Sequence, residues 1–288
     1  MKKINFLVVF LAILFCFSVK SASAVDLIIE EGKVRLSVAP ESSKTGLIHI
    51  KNISSEPISV RAYLEDWYYL PGADGTKEFK PAGAMPLSCA AWISFSPAEF
   101  TLPPFGSQVI NYIVKVPKNV VGGHYAVLFF ETMLPKPIVE EGVGVAVAAR
   151  LGSLFYVEPE GTIKREISIK DFSVEKPQED LPLTLNLGFK NSGNVDITAT
   201  GSYDLIDKTG MVYARGKFND VFTFPGDSAV LKGYWKEPIA QGKYDLIITL
   251  DLGKALQESG MGRGPTVVKE AAIEIGPAGT VLSVSTLK

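Results

Sequence analysis

The chain of 288 residues is poor in cysteine and histidine, with two of each, and has almost no excess of either charge. Its 29 Lys and Arg face 31 Asp and Glu. Two cysteines exclude a disulfide scaffold and a four-cysteine zinc site. A formal charge of -2 leaves no basic footprint for nucleic acid. Two histidines exclude a His-rich metal centre, and a Ser-His-Asp triad would lean on a single strand residue. Beyond the first segment no stretch approaches the ~18 uncharged apolar residues of a membrane helix. What remains, 47% hydrophobic and 21% charged residues, is ordinary globular composition for one or two domains.

The apolar run that is present opens the chain. Lys2 and Lys3 precede an almost wholly apolar stretch from Phe6 to Val19, and Ala22-Ser23-Ala24 supplies the small-x-small pattern of a signal-peptidase site. A cleaved signal peptide over 1–24 is therefore expected, with a mature chain starting at Val25 and exported to the periplasm, the medium or the cell surface. The segment carries Lys2, Lys3 and Lys20 and no acid, which leaves 26 basic against 31 acidic residues, about -5 over 264 residues. It also removes Cys16, so Cys89 stands alone. Nothing beside Cys89 lowers its pKa, and it reads as a small buried hydrophobe.

The mature sequence alternates with period two. Leu47 to Lys51, Ile58 to Tyr63, Val109 to Val116 and Tyr125 to Thr132 are rich in β-branched and aromatic residues, with Gly, Pro and Asn clusters between them. This is an all-β pattern. The chain also repeats itself. Lys51-Asn52-Ile53-Ser54 recurs as Lys190-Asn191-Ser192-Gly193, and Phe100-Thr101-Leu102-Pro103 as Phe222-Thr223-Phe224-Pro225. Pro117, Gly123 and Tyr125 recur as Pro238, Gly242 and Tyr244. A Tyr opening a strand after a Gly turn, its hydroxyl returned to the corner backbone, is the tyrosine corner of Greek-key sandwiches. Two immunoglobulin-like β-sandwiches in tandem are expected, over 25–158 and 159–276, with a hinge at Pro159-Glu160-Gly161 and a tail over 277–288. An insertion around Asp66 to Ala90 distinguishes the first copy.

Sites for chemistry are scarce. No acidic cluster stands at ligand spacing near His49 or His124 in the sequence. Glu65-Asp66 and Glu140-Glu141 are adjacent pairs that a strand sends to opposite faces, so they read as solvated charges. Asp74-Gly75-Thr76 reads as a turn, and Trp67, Trp92 and Trp235 as core. No catalytic residue, metal or cofactor is expected. The run from Val143 to Val157 alternates strictly at first, with Val143, Val145 and Val147 on one face. It is either an ordinary last strand inside the sheet or an edge that pairs with another chain.

The first module, over about Gly32 to Pro159, resembles the amino-terminal domain of periplasmic pilus chaperones, the PapD-like superfamily. The likeness rests on Lys51-Asn52, the strand ending Leu64-Glu65-Asp66-Trp67, Trp92 to Pro97, Phe100-Thr101-Leu102 and Arg150 to Tyr156. The second module is similar to generic bacterial immunoglobulin-like domains. The resemblance implies a protein partner, a client whose missing strand is supplied by the closing strand of domain one. It also implies two basic residues in the cleft that grip the client's terminal carboxylate. Arg35 and Arg150 are the candidates here, with Val143, Val145 and Val147 as donor side chains. The alternative is a structural or adhesive envelope protein of the same fold.

Overall fold

The computed structural model describes residues 27–133, 138–140, 143–145, 148–175 and 183–288. The expected signal peptide lies outside them. The first module contains β1 (Leu27–Ile29), β2 (Lys33–Val38), β3 (Ser43–Asn52), β4 (Ile58–Tyr69), β5 (Lys77–Pro81) and β6 (Ile93–Ser96). It continues with β7 (Glu99–Leu102), β8 (Ser107–Lys115), β9 (His124–Met133), β10 (Ile138–Glu140), β11 (Val143–Val145) and β12 (Ala148–Pro159). The second contains β13 (Ile167–Glu175), β14 (Leu183–Asn191), β15 (Ile197–Ile206), β16 (Val212–Lys217), β17 (Val221–Thr223) and β18 (Ser228–Trp235). It closes with β19 (Gly242–Asp251), the short helix α1 (Lys254–Glu258), β20 (Thr266–Ile275) and β21 (Val281–Val284).

Each module is a sandwich. In the first, a sheet ordered β1-β3-β8-β6 faces one ordered β2-β12-β9-β4-β5, with β7 paired to β4. Period-two alternation sends Ile48, Ile50, Ile110, Val114, Leu128, Phe130 and Phe155 inward, where all are fully buried. In the second, β13-β14-β18 faces β16-β15-β19-β20-β21 over Leu185, Leu187, Leu231, Leu205, Leu246 and Ile248. The chain is thus all-β, two immunoglobulin-like sandwiches. The tail contributes β21 to the β20 edge rather than fraying.

The repeat has one physical cause in both copies, a buried asparagine that ties a turn to the sheet. Asn52 accepts the Ser54 N–H (2.8 Å) and donates to the carbonyls of Glu56 (2.7 Å) and Pro103 (3.0 Å). Asn191 likewise accepts the Gly193 N–H (3.0 Å) and donates to the Val195 carbonyl (3.0 Å). The i+2 and i+4 partners are the same in the two modules.

The tyrosine corner survives in one copy only. Tyr244 donates to the Ala240 carbonyl four residues upstream at 2.9 Å. The Tyr125 hydroxyl leaves its own module instead: it accepts the Asp196 N–H at 2.6 Å and donates to Asp196 Oδ1 at 3.3 Å.

Candidate partner-binding site

The closing strand is the candidate site. β9 pairs with β12 from Ala148 to Val157, antiparallel, whereas β2 pairs with it in parallel only from Leu154 to Pro159. Between Ala148 and Ser153 the side of β12 facing away from β9 has no ladder partner among the described residues. Ser153 marks the limit, its hydroxyl donating to the Glu31 carbonyl at 2.7 Å where the chain turns into β2.

In the expected run from Val143 to Val157 the described residues fall in two strands, β11 and β12. Val143 and Val145 lie in β11, a hairpin arm paired to β10 with Val143 opposite Glu140 and Val145 opposite Ile138. Val147 lies outside the described residues. Among the described residues the β9–β12 ladder runs as far as Met133 opposite Ala148.

Arg35 and Arg150 emerge on the same face of the sheet but do not meet. Arg35 stands opposite Tyr156, and Arg150 is six residues up the strand from Tyr156, about 20 Å at ~3.3 Å per residue. Arg150 lies within the unpaired run. Its guanidinium stacks 4.1 Å over the Phe129 ring and holds both Glu65 oxygens at 3.1 Å, and its side chain is 39% exposed.

Arg35 is committed elsewhere. Its side chain is 3% exposed and grips Asp196 of the second module through two bonds of 3.0 and 2.6 Å, with Glu158 at 2.5 Å. Arg165 reaches the same Glu158 oxygen at 2.5 Å, and Tyr156 lies under the Arg35 guanidinium at 4.2 Å. Burial works against the Arg35 charge, but Asp196 and Glu158 outweigh it and raise the pKa. Four charges and the Tyr125 hydroxyl thus form one buried junction between the sandwiches.

The first-copy insertion closes that junction from the other side. Asp66, expected to be solvated, is fully buried; it accepts the Met85 N–H at 2.8 Å and the Ser88 hydroxyl at 2.5 Å. Glu65, on the opposite face, takes Arg150. The turn after β4 crosses into the second module: Ala73 joins that module's buried core, and its carbonyl accepts the Phe222 N–H at 2.9 Å. Phe224 packs on Tyr125, Tyr69 and Trp67 with ring centroids 4.4, 4.9 and 5.2 Å apart.

Beside the junction a small cleft of about 30 Å³ is lined by Lys33, Lys77, Tyr69 and Tyr156 from the first module and Phe222 and Glu258 from the second. Lys33 reaches Glu258 at 3.8 Å. Burial, with Lys33 nearby, pulls the Lys77 pKa down. These two lysines carried no signal in the sequence; β2 and the inserted β5 are opposite edges of one sheet, and the two side chains share only the cleft. Cys89 is fully buried, and burial raises its thiol well above the usual range, so it is a core residue.

No family model matches the chain, and no curated protein matches it. Solved structures do. The chain is similar to the class 5 fimbriae chaperone CfaA, at 14% identity and a TM-score of 0.47 over 85% of this chain and 98% of that one. It is also similar to a chain from a chaperone–tip adhesin complex of CFA/I fimbriae biogenesis, at 13% identity and a TM-score of 0.46, covering 85% and 97%. A third is in the Salmonella enterica SafA pilin–SafB chaperone complex, at 11% identity and a TM-score of 0.41, covering 86% and 97%. These are similarities of fold.

Proposed function

We propose that this chain is an exported, non-enzymatic binding protein of the pilus-chaperone type, which receives a client strand at β12. The observation that carries this reading is the half-covered closing strand. An unpaired run of backbone N–H and C=O groups templates the addition of another strand, and here it spans Ala148 to Ser153. Arg150 marks the middle of the run and keeps it from pairing indiscriminately, as a charge on an edge does. Val143, Val145 and Val147 precede the run and extend the donor segment in this reading.

A client carboxylate entering the cleft would meet Lys33 and Lys77, the basic groups there that are not locked in the buried junction. Arg35 serves instead to hold the two sandwiches at one angle, so that strand edge and cleft face the client together.

Hydrogen exchange tests the proposal, measured on the chain alone and on the complex it forms with an exported subunit in its native envelope. Protection gained by the amides of Ala148, Arg150 and Gly152 in the complex, which alternate on the open side of β12 with the Leu154 N–H that bonds Gly32, and loss of the complex on Arg150→Pro, would support strand addition. A complex that forms with those amides unchanged, or a chain that recovers no subunit, would overturn it.

A further inference from the structure

The first module carries a second group of chemistry-bearing side chains, beside the Ser153 end of the β12 edge run. In the sequence Glu30 and Glu31 are 18 and more residues from His49 and adjacent to each other, so a continuous strand would point them to opposite faces. The fold does otherwise. The chain leaves β1 at Ile29 and enters β2, in the other sheet, at Lys33. The bend between them turns both carboxylates toward His49 on β3.

The expectation that no acidic cluster accompanies His49 is thereby overturned, and the cause is the sheet-switching bend. Glu31 Oε1 lies 2.7 Å and Glu30 Oε2 3.9 Å from His49 Nδ1. One oxygen from each glutamate and one ring nitrogen all fall within 4.8 Å of one another.

We propose that Glu30, Glu31 and His49 form a site for a divalent transition-metal ion of the zinc class, with an open fourth position for water. Three observations carry it. First, ligand atoms around a tetrahedral ion with bonds of 2.0–2.2 Å stand about 3.3 Å apart, and 2.7 and 3.9 Å bracket that spacing. Rotation of exposed side chains closes the difference.

Second, the scaffold is rigid. The Glu30 N–H donates to the His49 carbonyl at 3.1 Å, the His49 N–H donates to Glu31 Oε2 at 2.7 Å, and Ser153 pins the Glu31 carbonyl. His49 stands on β3 and the two glutamates on the bend between β1 and β2, and these bonds tie the bend to β3 and β12, which keeps the ligands near one another.

Third, the charges do not balance. Two carboxylates face one imidazole, and among the described residues neither glutamate pairs with a lysine or arginine. Even an imidazolium leaves the group negative, whereas a divalent ion neutralises it. One imidazole with two carboxylates suits zinc-class ions better than calcium, which takes six to eight oxygens.

Calorimetric titration of the chain over 25–288 with zinc chloride, after chelator treatment, tests the site. One ion per chain is expected, with affinity rising as pH increases because the metal displaces a proton from Nδ1. His49→Ala and Glu30→Gln should each weaken binding at least tenfold, and His124→Gln should leave it unchanged. Glu30→Gln keeps the proposal testable if His49→Ala fails to fold, since the Glu30 carboxylate is exposed. Cobalt(II) should give a visible absorption band that Glu30→Gln diminishes. No binding, or binding that both variants leave intact, would overturn the proposal and mark any ion as adventitious.

Discussion

Arg35 and Asp196 lie 161 residues apart, one in each sandwich, and meet through two hydrogen bonds of 3.0 and 2.6 Å with their side chains 3% and 1% exposed. The pair is the buried centre of the contact between modules. A buried pair is costly to form but costlier to break on one side, because the remaining charge has no solvent to turn to.

Asp196→Ala should therefore destabilise the chain by about 3–5 kcal/mol, measured by urea unfolding. Replacing both partners with apolar residues, Arg35→Met with Asp196→Leu, should cost clearly less than Asp196→Ala alone. A double variant as unstable as the single one would show that the charges themselves, rather than an orphaned partner, matter.

Tyr125 and Tyr244 occupy equivalent places in the repeat, yet removal of their hydroxyls should differ in cost. Tyr244→Phe loses one bond to the Ala240 carbonyl and should cost about 0.5–1.5 kcal/mol. Tyr125→Phe leaves the buried Asp196 N–H without its acceptor and should cost more, toward about 3 kcal/mol. Equal losses in thermal unfolding would contradict the cross-module role of Tyr125.

The two histidines should pull the stability–pH profile in opposite directions. The hydrogen bond and charge of Glu31 raise the His49 pKa above 6.5, so its contribution is full below pH 6.5 and is lost as pH rises through the raised value. Burial lowers the His124 pKa below 6.5, so its stabilising effect is present above pH 6.5 and is lost as pH falls through the lowered value. Denaturation across this range should show the His49→Ala and His124→Gln profiles diverging from the parent on opposite sides. Profiles parallel to the parent would refute both assignments.

The inserted turn should couple the modules. Gly75, at φ +87°, faces the Phe222 ring with room for a Cβ only at 3.0 Å from it. Gly75→Val should strain the turn by roughly 1–2 kcal/mol and loosen its grip on the second module. Calorimetry should then show one unfolding transition for the parent chain and two for the variant; the same single transition in both would count against the coupling.

Much of the fold is legible in local patterns. Alternation in Leu47–Lys51 and Val109–Val116 specified strands, because a pleated strand buries every second residue. The matched Asn52 and Asn191 revealed the repeat, since both tie the same turn by the same short-range bonds. The adjacent pair Glu65-Asp66 faces opposite ways, as strand alternation requires. Its burial was not legible, because Asp66 is satisfied by Met85 and Ser88, some twenty residues away.

The residues that bear on function depend on contacts that alternation does not encode. Arg35 reads as a basic strand residue and becomes a junction residue only when Asp196 arrives from the other sandwich. Lys77 belongs to the insertion and finds Lys33 only across a cleft. The acids at Glu30 and Glu31 converge because the chain changes sheets between them and β2.

Sequence alone determined the all-β class, the two related sandwiches and the scarcity of histidine and cysteine, because strand periodicity, turn residues and composition act over short range. Tertiary structure decided which stretch of the closing strand lacks a partner, where each arginine is committed and where His49 meets two carboxylates. Those outcomes follow from register between distant strands, which is set by the packing of whole faces rather than by neighbours in the chain.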